Sequence, residues 1–313
     1  MQTNSVAVEQ VNSLSFVKKA NLCNKFGYKK KQITLLLLHT TLLMIFSFTT
    51  GRLLSQTTVF SQGFSSSTSV LSYVNLFPNS GQFDAISSAG TSSTSISSGA
   101  LRFTRGSGNT SFTRSTNFSP TLTALVYKFD ITISGTPTGN TGSAATFQVG
   151  SSYNILTNNV EPDANTYAML SVDFRGTSNF RFRDASNGNT SSNYSVGTTY
   201  SVTWAMNNSG SPLTYTAPNG SSETVGNDRA DIWVGTTRIW NEANVETSGG
   251  ALTDLKFAFT QSTGNISIDN INIYSINPFI TTQPASVSVC AGGTASFSTA
   301  ASGTSLSYQW KKN

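Results

Sequence analysis

From Leu125 to Ser134 the chain reads Leu-Val-Tyr-Lys-Phe-Asp-Ile-Thr-Ile-Ser, with Leu125, Tyr127, Phe129, Ile131 and Ile133 on one parity and Lys128, Asp130, Thr132 and Ser134 on the other. Successive side chains of a β-strand point to opposite faces, so a period of two prescribes a strand with one face in a core and one face polar. The pattern returns at Ala168, Leu170, Val172 and Phe174, at Phe180 and Phe182, and at Tyr200, Val202, Trp204 and Met206. It returns again at Leu255, Phe257 and Phe259, and at Ile266, Ile268, Ile271 and Ile273. Clusters of Gly, Asn and Ser at 136–143, 186–193, 207–211 and 217–222 punctuate these runs as turns. No sustained 3.6-residue period occurs after residue 55. Residues 56–277 are therefore expected to form an all-β, antiparallel sandwich.

The last of these runs changes parity. Its apolar residues fall on even numbers at Ile266 and Ile268 and on odd numbers at Ile271 and Ile273. A one-residue slip would turn the second pair to the wrong face, so a β-bulge is expected at Asp269 and Asn270.

The strand at 99–105, a short strand near Phe112, the long strand at 124–134 and the closing I-S-I-D-N-I-N-I-Y-S-I element together resemble the jelly-roll sandwiches of concanavalin-like and carbohydrate-binding modules. The resemblance covers most of residues 60–277. It implies a jelly-roll fold, a polysaccharide or cell-surface glycan as partner, and a structural calcium ion held in part by an Asp of the closing element. Asp269 is the matching residue here, with Asp84 in S-G-Q-F-D-A-I as its candidate partner. Calcium takes six to eight oxygens and only these two carboxylates can be nominated; alternatively, Asp269 hydrogen-bonds the bulge or an adjacent turn. No other cofactor is expected.

From Pro284 the run Q-P-A-S-V-S-V-C-A-G-G-T-A-S-F-S-T-A-A-S-G-T-S-L-S-Y-Q-W-K-K-N places an alternating strand before Cys290, a Gly-Gly turn, a strand around Phe297 and a third carrying Tyr308 and Trp310. This stretch resembles the start of the immunoglobulin-like repeats of large bacterial surface and secreted proteins. Such a sandwich needs about seven strands and roughly 100 residues. Residues 278–313 are accordingly expected to be the N-terminal part of a truncated immunoglobulin-like β-sandwich, and the chain a fragment of a longer modular protein. The resemblance puts the partner of Cys290 on a later strand; the alternative is a buried free thiol.

At the other end, Lys29, Lys30 and Lys31 precede an almost wholly apolar run at 33–48, the charged and hydrophobic regions of an export signal. Residues 1–55 are expected to be a signal peptide with a long n-region, cleaved before Gln56; an uncleaved anchor is the alternative. The only expected membrane contact is through this segment, and the expected location is extracellular or at the cell surface.

The leader also holds seven of the 19 Lys and Arg and one of the 14 Asp and Glu, leaving 12 bases against 13 acids from residue 56 onward. The basic balance of the full chain thus belongs to the leader and does not point to nucleic acid. The single histidine, His39, lies there too. The remainder cannot build a Ser-His-Asp or Cys-His site, nor a zinc site other than one of carboxylates.

The candidate ligand-binding residues lie in A-D-I-W-V-G-T-T-R-I-W-N-E. Trp233 is out of phase with Ile232 and Val234 and is expected to be partly exposed; Trp240 stands beside Arg238, Asn241 and Glu242. An exposed indole among polar groups offers a stacking face for a sugar; alternatively, both tryptophans cover the second face of the sandwich. Trp204 is in phase with Val202 and Met206 and is expected in the core. The Glu-x-Asp-x-x-Glu strand motif of jelly-roll glucanases is absent, and no catalytic residues are nominated. Arg181 and Arg183 with Asp173 and Arg175 form a polar patch or a solvated sheet face. The expected role is a noncatalytic carbohydrate-binding or adhesive module. The alternatives are a structural spacer and an accessory domain of a polysaccharide-degrading enzyme.

Overall fold

The computed structural model describes residues 57–139, 142–276, 279–282, 284, 287–289 and 294–302. Its strands follow the alternation. In the first part of the chain they are β1 (Thr57–Gln62), β2 (Ala85–Ser88), β3 (Ser93–Ser97), β4 (Ala100–Arg105), β5 (Thr110–Arg114), β6 (Ala124–Thr138), β7 (Ala145–Gly150), β8 (Thr166–Arg175) and β9 (Asn179–Asp184). There follow β10 (Tyr194–Ser195), β11 (Thr199–Asn207), β12 (Leu213–Thr216), β13 (Ser222–Val225), β14 (Arg229–Val234), β15 (Thr237–Asn244), β16 (Asp254–Phe259) and β17 (Thr263–Ser275).

Two antiparallel sheets face each other within the unit Ser55–Pro278. The first runs β15-β14-β11-β6-β17-β4-β3, with β1 also on β17; the second runs β10-β9-β8-β7-β16-β5-β2. The fold is a jelly-roll β-sandwich. Apart from the half-buried Tyr200, every alternating apolar residue from Leu125 to Ile273 named above is buried in one core. Phe129 of the first sheet stacks on Phe147 of the second with ring centroids 4.2 Å apart, and Phe147 meets Phe257 at 4.7 Å. Burying side chains of this size contributes about 1.5–3 kcal/mol each, which fixes the facing of both sheets.

The expected bulge is present. Asp269 pairs with Asp130 and Asn272 with Lys128, so two residues of β17 oppose one of β6. Asn270 takes a φ of 50°, its side-chain amide donates to Asp130 Oδ2 at 2.8 Å, and all four isoleucines stay inside. The turn expected from residue 136 begins later: β6 continues to Thr138, opposite Thr263, past a register shift near Gly135, whose φ is 76°.

Both sheets are covered on part of their outer faces. On the first, β12 and β13 form a hairpin above a second apolar cluster that includes Val126, Ala205, Leu213, Tyr215, Val225 and Trp233. On the second, the segment 151–165 folds back over β7 and β16. Gly150 permits this approach, since a Cβ there would stand 2.0 Å from the Asn165 carbonyl oxygen. Beneath it Lys256 donates to the Asn154 carbonyl at 3.0 Å and to the Glu161 carboxylate. Gln148 accepts from the Glu161 N–H at 2.8 Å.

In the separate C-terminal unit, β18 (Phe279–Thr282) pairs antiparallel with β19 (Ala300–Ser302). Phe297, expected on a strand, lies in a stretch without regular structure and is exposed. Residues 1–55, expected to be a signal peptide, and Cys290, Tyr308 and Trp310 lie outside the described residues.

Candidate functional site

The candidate site lies where β15, the edge strand of the first sheet, meets the turn that follows β9 of the second. Two register shifts between β14 and β15 shape it: Ala230 pairs with Ala243, Ile232 with Trp240 and Trp233 with Arg238. Asn241 and Glu242 thus oppose the single residue Asp231, and Glu242 takes a φ of 56°. Bulges of this kind re-aim side chains at sheet edges. Here the bulge sets Trp240 half-buried against the core while Asn241 is exposed.

The resulting cleft encloses about 200 Å³ and is lined by Asp184, Asn187, Asn189, Trp240, Asn241 and Glu242, with Ala243 and Asn244 at its side. Its walls are tied together by hydrogen bonds. Asn187 Nδ2 donates to Asp184 Oδ2 at 2.8 Å and to the Asn244 carbonyl at 3.3 Å. Asn244 Nδ2 donates in return to Asn187 Oδ1 at 3.0 Å. The Glu242 carboxylate accepts from the Gly226 N–H at 2.9 and 3.1 Å. These bonds orient the amides and carboxylates while leaving further donor and acceptor capacity in each.

Asp231 organises the back of the site. It is fully buried, and its Oδ1 accepts from the Glu242 N–H at 2.7 Å. Its Oδ2 accepts from the Tyr215 hydroxyl at 2.7 Å and from Arg238 Nη1 at 3.4 Å. Burial, and then the hydrogen bond to Asp231, push the Tyr215 pKa above the usual tyrosine range, which keeps the hydroxyl a donor. Burial works against the charge of Arg238, but Glu223 and Asp231 outweigh it and its pKa is raised.

Of the four nominated ligand-binding residues, the cleft brings together Trp240 and Asn241. Trp233 corrects the sequence reading. It is only 3% exposed, because the β12–β13 hairpin covers the outer face toward which its phase directs it. Its Nε1 donates to the Tyr215 hydroxyl at 2.8 Å, and the Arg238 guanidinium lies 5.1 Å from its ring centroid. Arg238 also pairs with Glu223 at 2.9 Å and is not among the cleft residues. Asp184, Asn187, Asn189 and Asn244 were missed from sequence. Asn244 ends β15, four residues after Trp240, whereas Asp184, Asn187 and Asn189 sit in the Gly/Asn turn cluster at 186–193 or just before it, and the cross-sheet pairing of Asn187 with Asn244 brings them to Trp240.

The nominated calcium residues are engaged separately. Asp84, just before β2, accepts from the N–H groups of Ser115 and Thr116 at 2.8 and 3.0 Å and from the Thr116 hydroxyl at 2.6 Å. Asp269, in the first sheet, accepts from the Phe64 N–H at 3.1 Å. Among the described residues no group of three or more His, Cys, Asp or Glu side chains is placed to hold a metal ion.

No family model and no curated protein matches the chain. Solved structures do. A sialidase aligns over 61% of this chain at 12% identity and a TM-score of 0.41, and the chain spans only 16% of that protein. A carbohydrate esterase from the Shiga toxin-encoding bacteriophage phi24B aligns over 71% of this chain and all of its own, at 12% identity and a TM-score of 0.45. The carbohydrate-binding module CBM66 from Bacillus subtilis aligns over 62% of this chain and 97% of its own, at 13% identity and a TM-score of 0.35.

Proposed function

We propose that this chain is a noncatalytic carbohydrate-binding module of an exported protein, working outside the cell or at its surface, and that its cleft holds one neutral sugar unit of a glycan. The observation that carries this reading is the half-buried indole of Trp240 in a cleft of about 200 Å³ otherwise walled by amides and carboxylates. That combination suits a pyranose, whose C–H face packs on an aromatic ring while its hydroxyls need both donors and acceptors. Among the described residues two carboxylates and no lysine or arginine line the cleft, so a uronate there would meet like charge. Asp184 and Glu242 are both held by structural donors, which fits acceptors for ligand hydroxyls better than a proton donor for bond cleavage.

A glycan array probed with the full chain, with and without calcium, tests this reading. Binding to one or more neutral glycans is expected, and calcium dependence would additionally support a structural calcium ion. An array without binding under either condition would leave the spacer role as the better account.

A further inference from the structure

The outer face of the second sheet carries charge that neither the cleft nor the core uses. β8 turns Asp173 and Arg175 outward and β9 turns Arg181 and Arg183 outward, while Val172, Phe174, Phe180 and Phe182 fill the core. The register sets Asp173 opposite Arg181 and Ser171 opposite Arg183. The guanidinium groups of Arg175 and Arg181 thus share the Asp173 carboxylate, and Arg183 adds a third positive charge to the same outer face.

The arrangement is built and not merely crowded. The Asp173 side chain is 1% exposed; its Oδ2 accepts from Arg181 Nε at 2.7 Å and lies 4.0 Å from Arg175 Nη1. Its buried Oδ1 has no hydrogen-bond partner. Asp173 therefore anchors Arg181 by its inner nitrogen and leaves the two terminal nitrogens without a protein partner among the described residues. Arg183 has neither an ion pair nor a hydrogen bond to an acid among those residues. The neighbouring Asp184 is occupied by Asn187.

We propose that this patch binds an acidic oligosaccharide through its carboxylate or sulfate groups, at a site distinct from the Trp240 cleft. A partly buried guanidinium fork is suited to planar, bidentate capture of such oxyanions. Arg181 and Arg183, two residues apart on β9, present successive forks about 6.6 Å apart along an extended surface, which fits a chain of repeating charges. Nucleic acid fits less well. Residues from 56 onward carry 12 bases against 13 acids, so no broad positive field surrounds the patch. The nearby rings of Phe180 and Phe182 are buried in the core, and the partly buried Tyr194 packs edge-on or tilted against both, so no row of exposed aromatic faces lines the patch among the described residues.

Calorimetric titration of the full chain tests the proposal, with an oligogalacturonate in one arm and a heparin-derived hexasaccharide in the other. At least one arm should bind, weaken with added salt, and lose about tenfold in affinity in the Arg175→Gln/Arg183→Gln double variant. Arg181 is left in place so that Asp173 keeps its partner. The Lys30→Gln/Lys31→Gln variant, which removes two charges from the leader, should bind as the wild type does. Trp240→Ala should leave acidic-glycan affinity unchanged whether or not the neutral-sugar reading holds. The proposal is overturned by absence of binding in both arms, by unchanged affinity in the arginine variant, by an equal loss in the lysine control, or by binding of inorganic sulfate alone.

Discussion

The backbone N–H of Glu242 donates to the buried Oδ1 of Asp231 at 2.7 Å, and this bond holds the bulge that makes the end of β15 a wall of the cleft. The same carboxylate accepts from Tyr215 and Arg238 through its other oxygen. Asp231 therefore couples the hairpin on the outer face to the site at the edge. Asp231→Ala strands these donors and should cost about 3 kcal/mol of stability, read as a lower denaturant midpoint at unchanged slope. It should also weaken glycan binding, because the bulge loses its brace.

Trp233 and Trp240 should separate cleanly. Trp233→Ala empties a closed pocket beneath the hairpin and should destabilise the protein by about 3–5 kcal/mol. Thermal or denaturant unfolding of the purified variant checks this. A loss below about 1 kcal/mol would mean that the hairpin does not seal the indole in solution.

These two residues also show what sequence alone can reach. Alternation located the core, including Trp204, and the parity change among Ile266, Ile268, Ile271 and Ile273 located the bulge, because both are written into neighbouring residues. The phase of Trp233 correctly assigned it to the outer face, but whether that face meets water depends on a hairpin formed by other residues. Its signal was the alternation of Leu213, Tyr215 and Ala217 before the Asn219-Gly220 turn. Lys256 is the same case on the other sheet: its parity puts it outside, and the segment 151–165 then buries it. The cleft was half legible, since Trp240 and Asn241 are adjacent in the chain, whereas Asn187 reaches Asn244 only through the fold.

The buried pair of Lys256 and Glu161 gives a third prediction. Its members are completely and almost completely buried, so removing one leaves the other charge uncompensated. Lys256→Ala should cost about 3–5 kcal/mol, whereas the apolar double variant Lys256→Met/Glu161→Leu should cost much less. A double-mutant cycle measures the difference; equal losses in both variants would show that packing rather than charge sets the cost.

Asp254 supplies the pH dependence. Burial raises its pKa above the ordinary aspartate value, against the opposing hydrogen bonds from the Tyr153 N–H and the Thr253 hydroxyl. Between the unfolded and the raised folded pKa the native state binds more protons, so this group's contribution to stability falls as pH rises through that acid window. Stability measured from the ordinary aspartate pKa upward should show this decline, and Asp254→Asn should flatten it. A slope unchanged in the variant would assign it to another group.

The most direct test of the glycan-binding account is titration of the full chain with a neutral oligosaccharide that it retains on an array, compared between wild type and Trp240→Ala. The account predicts that the variant still folds cooperatively and loses binding by about tenfold or more. Undiminished affinity in a folded Trp240→Ala variant would contradict it and place the sugar elsewhere on the sandwich.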